Sequence, residues 1–427
     1  MNIWQERISN ISFLSLCFLS CFPLLGMKVT VIAIIAFAVM SFLSAMISWN
    51  NKIVRENYPS LIIFLIPFLL IFFRTMVTDG SDDARFYLEV SSSLFAFPAT
   101  FFLYHIGRPR HSVKVPLMLF TGSTLIVVSV GLMSAGSRIL SHLGPDKFWK
   151  STSQMLNDPS LPYHIRTLFE ERVGIHPTHA SVFIGISIVI AVSYLIRNFY
   201  SGTTMNRVLL ISMASVLVMM LAVLASRTPF IATGMAVLTF AFLHFRRKVL
   251  VLYVIAGLIL LTGALALTVP SFTARFSEIS FSNAGVPGEN EENSFNLRSG
   301  IYKCSTEIIS NHWLWGVGPG NIQNHLNECY DQISPEVYHG KNYNTHNQFL
   351  DYWIGLGVLG PLALMLVFAY FIITGYRNKN HLAVSLAILF LIAMLTENLL
   401  TRQNGVVVFC FFLGLMFRNH KLENPAG

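Results

Sequence analysis

Three side chains stand where polar segments interrupt an otherwise apolar chain, and each has a type suited to chemistry. Arg227, in ASRTP, joins two apolar runs with almost no loop between them. A guanidinium at the edge of a bilayer is costly unless solvated or paired. Its planar fork of donors fits phosphate oxygens; a snorkelling side chain at a helix end is the alternative. Arg298, in NLRSGIYKC, precedes a predicted surface helix and is a second anion contact or an ordinary solvated loop arginine. His346, in NTHNQF, sits where the largest polar segment enters an apolar run, with Asn344, Thr345 and Asn347 around it. An imidazole there can take a proton from a hydroxyl near neutral pH, or it can simply cap a helix.

Other candidates surround these. Asp351 follows His346 by five residues, and Glu397 and Arg402 lie in TENLLTRQNG. A carboxylate there could pair with Arg227 or Arg402, as structure rather than chemistry. His176 and His179, in GIHPTHAS, are spaced to hold a metal on a helix, but no third ligand accompanies them, so a polar helix entry is the favoured reading. GVGPG (316–320) has no strand before it and fails as a nucleotide-binding loop; it reads as a tight turn. Cys304 and Cys329 share the large polar segment and could pair in an oxidising compartment; two reduced thiols are the alternative. Cys17, Cys21 and Cys410 lie in apolar runs as packing residues.

The elements that must position these residues are membrane helices. The 427 residues are 54% hydrophobic and 12% charged, against about 25% charged in soluble domains. The net charge of +8 is therefore no nucleic-acid signal; Lys and Arg of a membrane protein collect in cytoplasmic loops. About twelve apolar runs approach bilayer length, starting near residues 11, 29, 58, 86, 115, 179, 206, 229, 248, 347, 381 and 404. The first is read as a retained span rather than a cleaved signal. The third contains Pro67 and the last is short, so either could be tilted or re-entrant. Basic residues of the short loops place both termini in the cytoplasm.

The chain is thus one all-α polytopic membrane domain, 1–427, with two long periplasmic loops, 135–178 and 270–345. Within the second, SNAGVPGENEEN (282–293) has the composition of a mobile segment. RSGIYKCSTEIISNHWLWG and NIQNHLNECYDQI have helical apolar spacing and predict two helices lying on the membrane surface. No inverted repeat, the usual mark of a transporter, is visible.

Taken together, the arginine between two spans, the Arg-led loop helix, the HWLWGVGPGN turn, THNQFLDYWIGLGVLG and TENLLTRQNG resemble the O-antigen ligase and O-antigen polymerase superfamily of bacterial inner membranes. The motifs cover residues 176–418. The resemblance implies a GT-C-like, inverting membrane glycosyltransferase needing no cofactor and no metal. Its partners would be membrane lipids, an undecaprenyl-pyrophosphate-linked glycan and a lipid A-core acceptor, with the active site in the periplasm. By the same resemblance Arg227 and Arg298 bind the pyrophosphate and His346 is the essential histidine. Tyr302, Asn347, Glu397, Arg402 and His179 are candidate contacts to pyrophosphate or acceptor. A polymerase or a protein O-oligosaccharyltransferase of the same superfamily is the alternative, and a lipid or solute transporter a more distant one.

Overall fold

The computed structural model describes residues 3–78, 82–107, 112–143, 161–197, 203–269, 272–273 and 294–416. Among the described residues all regular structure is helical. Eight helices are long and apolar enough to cross a membrane. Seven of them start close to apolar runs read from the sequence. The apolar runs beginning near residues 11, 229, 381 and 404 are also helical, as Ile3–Ser20, Arg227–His244, His381–Met394 and Gln403–Met416. The last two have 14 residues each, about 21 Å at helical rise, which is shorter than a bilayer's hydrocarbon core of about 30 Å. Asn51–Val77 runs unbroken through Pro59 and Pro67.

The run starting near 347 is divided. Gln348–Leu356 ends at Gly357, and the crossing helix is Leu359–Arg377. Gly357 has a φ of 69°. A Cβ there would stand 2.0 Å from the carbonyl oxygen of Leu314. The glycine lets the WLWGVGPG turn dock by its backbone: Val317 N–H donates to Ile354 O at 2.7 Å, Gly318 N–H to Gly355 O at 3.1 Å, and Val358 N–H to Trp313 O at 2.9 Å.

The chain divides into two compact units, with one boundary inside the His381–Met394 helix. The first unit comprises residues 1–44, 108–277 and 379–389. Pro177–Arg197 is its centre, with 78% of its apolar window buried, whereas Val249–Thr268 buries only 11% and offers its side chains to lipid. Phe22, Phe120 and Phe183 meet beside the central helix with centroids 5.4–6.0 Å apart. Lys114–Leu143 continues past Ala135, where the apolar run gives out, and Leu161–Val173 is also helical. The loop read as 135–178 is therefore partly helix.

The second unit comprises residues 45–107, 278–378 and 390–427. It carries the large polar segment. Residues 282–293, read as mobile, lie outside the described residues. Beyond them Ser294–His312 and Ile322–Ile333 form, at the predicted positions. Their apolar faces close a small core of Ile301, Ile308, Leu326, Tyr330 and Ile354, with Tyr330 and Tyr338 stacked at 4.8 Å. Cys304 and Cys329 are joined as a disulfide between these two helices.

Candidate active site

In the second unit, three segments far apart in sequence supply one polar cluster. Arg298 and Tyr302 stand one turn apart on Ser294–His312. His346 precedes Gln348–Leu356, and Glu397 precedes the short turn Leu399–Thr401. Glu397 bridges the other two segments: Oε1 accepts from Arg298 Nη2 at 3.2 Å, and Oε2 lies 3.5 Å from His346 Nδ1. The side chains are 34% (Arg298), 29% (His346) and 17% (Glu397) exposed, so a substrate can reach them. The Tyr302 hydroxyl is pushed up by burial, opposed by Arg298 and reinforced by Glu397. It stays protonated and can donate.

His346 has a φ of 44°, a left-handed conformation that costs a non-glycine residue about 1–3 kcal/mol. Neighbouring polar groups hold it there. His346 N–H donates to Asn344 Oδ1 at 2.9 Å. Asn347 then caps the following helix, its Oδ1 accepting from Phe349 N–H at 2.9 Å and Leu350 N–H at 3.2 Å. That capping occupies the Asn347 side-chain oxygen, so the residue stands first as a support for His346.

A second, deeper layer ties the His346 segment to the Glu397 segment. Thr345 Oγ1 lies 3.0 Å from Asn398 Oδ1, Asn398 Nδ2 donates to Asp351 Oδ1 at 2.9 Å, and Tyr87 O–H donates to Asp351 Oδ2 at 2.7 Å. Gln348 Oε1 accepts from Leu400 N–H at 2.7 Å. Asp351 is 3% exposed. Burial pushes its carboxyl up to about 7, against the opposing pull of the Tyr87 hydrogen bond. These contacts fix Glu397 and His346 within reach of each other. Neither Tyr87 nor Asn398 stands out in the sequence, because single Tyr and Asn residues carry no pattern. Asp351 and Gln348 were visible only as polar residues beginning an apolar helix.

The remaining candidates are Arg402, Arg227 and His179. Arg402 occupies an exposed position just before Gln403–Met416. Arg227 and His179 belong to the first unit. Arg227 opens Arg227–His244, two residues after Ala225, whose φ is 47°. Arg166 braces this turn. Its Nη1 donates to Leu224 O at 2.7 Å and to Ser226 Oγ at 2.9 Å, and Nη2 lies 3.5 Å from Thr178 Oγ1. It thereby links the starts of Arg227–His244 and Pro177–Arg197. His179 is buried in the first turn of the latter, its ring edge-on to His176 at 5.9 Å. Arg166 sits in a stretch read only as loop, and nothing in the sequence singles it out.

Fold and site define a multi-pass helical membrane protein in which a guanidinium from the large polar segment, an imidazole at its end and a carboxylate from a later turn come together. The family model for O-antigen ligase matches residues 211–365. The match supports the O-antigen ligase superfamily, and its span includes Arg227, Arg298 and His346, while Glu397 lies beyond it. No curated protein matches the chain significantly.

Proposed function

We propose that this protein is an inverting glycan ligase. It would move a glycan from undecaprenyl pyrophosphate to a sugar hydroxyl of lipid A-core in the periplasmic leaflet of the bacterial inner membrane. The observation that carries the reading is Glu397 set between His346 and Arg298, on a chain with an O-antigen ligase match. The Cys304–Cys329 disulfide supports an oxidising surrounding for this segment, as does the basic character of the short loops assigned to the cytoplasm. We read the shorter helices as completing a twelve-span GT-C-like arrangement with both termini cytoplasmic.

The carboxylate of Glu397 favours a proton on His346 Nδ1, which leaves Nε2 as the base. The acceptor hydroxyl oxygen attacks the anomeric carbon while its proton passes to Nε2. The bond from the anomeric carbon to the pyrophosphate oxygen breaks, and the electron pair leaves with the lipid pyrophosphate. Attack from the opposite face inverts the anomeric centre. Arg298 uses one guanidinium donor on Glu397 and has others to offer the leaving group, whose charge grows as the bond breaks. Arg227 is assigned by the resemblance to the same leaving group. No step in this scheme requires a metal.

A deletion strain examined by lipopolysaccharide gel tests the reading. Loss of the whole ladder with lipid-linked polymer accumulating is the expected result. A core bearing a single repeat unit would make the protein a polymerase, and an undisturbed ladder would overturn both.

A further inference from the structure

At the far end of the first unit from Arg227, basic side chains gather about one aromatic ring. Arg197 closes Pro177–Arg197, and its guanidinium lies over the Phe240 ring, 5.6 Å from the centroid. His244 ends the helix that Arg227 begins and stacks on the same ring at 5.4 Å, with planes 12° apart. His381 arrives from a separate helix, its ring 6.0 Å from His244 and 6.4 Å from Phe240. Lys379 stands two residues before His381, in the turn that leads into the same helix. Arg197, His244 and His381 are half-buried, Lys379 is exposed, and Phe240 is fully buried.

Helix dipoles favour a cation at a C-terminus. That accounts for Arg197 and His244 separately. It does not account for His381 being brought against them from another helix, with Lys379 in the turn just before it. Among the described residues none of the four is paired with a carboxylate. Phe240 attracts the Arg197 guanidinium by its ring face, but the ring supplies no counter-charge to Arg197 and Lys379, and the two imidazoles have N–H donors to offer. An anion with several oxygens would satisfy all four, and the guanidinium fork suits a phosphate. Pro177–Arg197, long and apolar enough to cross a membrane, ends at this cluster, which would set it at the depth of lipid headgroups.

We propose that Arg197, His244, Lys379 and His381 form a binding site for the phosphate of an anionic phospholipid, on the membrane face opposite Arg227. The 18 residues from Arg227 to His244 separate the two ends by about 27 Å. The site therefore stands independently of the glycan-transfer reading. Its bound phosphodiester would fasten the ends of three helices together.

The test is thermal unfolding of the full chain in detergent micelles titrated with phosphatidylglycerol, phosphatidylcholine or inorganic phosphate. Phosphatidylglycerol should raise the unfolding temperature by about 2 °C or more, and phosphatidylcholine should not. Lys379→Gln and His381→Gln should each lose at least half of that shift, whereas Arg246→Gln, an exposed change outside the cluster, should keep it. If inorganic phosphate alone gives the shift, and both cluster variants lose it, the phosphate comes from solution rather than from a lipid headgroup. An equal response of wild type, Lys379→Gln and His381→Gln to every anion would overturn the site. Lys379 is exposed, so its variant remains a fair test even should His381→Gln fold poorly.

Discussion

The two regions that hold the candidate arginines are built in different ways. Arg298 belongs to a network of side chains bonded to side chains, with Glu397 reaching both Arg298 and His346 and Asp351 gripping Tyr87 and Asn398. Arg227 follows a turn whose brace, Arg166, bonds mainly to a backbone carbonyl and a hydroxyl. The first arrangement brings an imidazole, a carboxylate and a guanidinium together. The second fixes the shape of a turn.

The largest effect that could break this contrast is at the imidazole. His346→Ala should lower glycan transfer by about 10²–10⁴-fold, the usual contribution of a general base, with membrane protein level unchanged. Retained transfer in a membrane assay would make the network structural. Next, replacing Cys304 and Cys329 together by Ser should cost about 2–4 kcal/mol in the second unit. The loss should be read as earlier proteolysis of the 294–333 region, with the Arg227 turn keeping its protection. Arg166→Met should do the opposite. It leaves the Leu224 carbonyl and Ser226 hydroxyl without their donor, a loss of about 1–3 kcal/mol. Hydrogen exchange should quicken around 224–228 and not around 344–351.

A further effect is pH-dependent and belongs to the first network alone. The Asp351 carboxyl is held up to about 7 when folded, from an ordinary value of 3.8. Between about pH 4 and pH 7 the folded chain keeps a proton that the unfolded chain has lost. Stability therefore falls as pH rises through this window, by at most about 1.4 kcal/mol per pH unit, and the full cost remains above it. Asp351→Asn should remove this slope, so its unfolding temperature should gain on wild type between pH 5 and pH 8. Parallel curves for the two proteins would show that Asp351 is already ionised in the folded state.

Much of the membrane architecture was legible because apolar length is a strong signal: Thr204–Val223 and Val249–Thr268 begin within two residues of where their apolar runs do. The helix break at Gly357 was not, since Gly355, Gly357 and Gly360 lie inside a continuous apolar run and only the approach of the Leu314 carbonyl reveals why one of them must turn. For the site, His346 and Arg298 could be singled out by their place in a polar segment. Pairing Glu397 with them could not, because its natural partner by position was Arg402, five residues on, and the fold instead turns it towards residues 51 and 99 positions earlier. Arg166 escaped notice because the Leu224 carbonyl and the Ser226 hydroxyl that it bonds leave no mark in sequence.

The most direct measurement is single-turnover transfer from a lipid-linked glycan by purified wild type, His346→Ala, Glu397→Gln and the double variant. If Glu397 acts through His346, Glu397→Gln alone slows transfer and the double variant is no slower than His346→Ala. Losses that multiply, or a Glu397→Gln enzyme as fast as wild type, would contradict a shared imidazole–carboxylate unit.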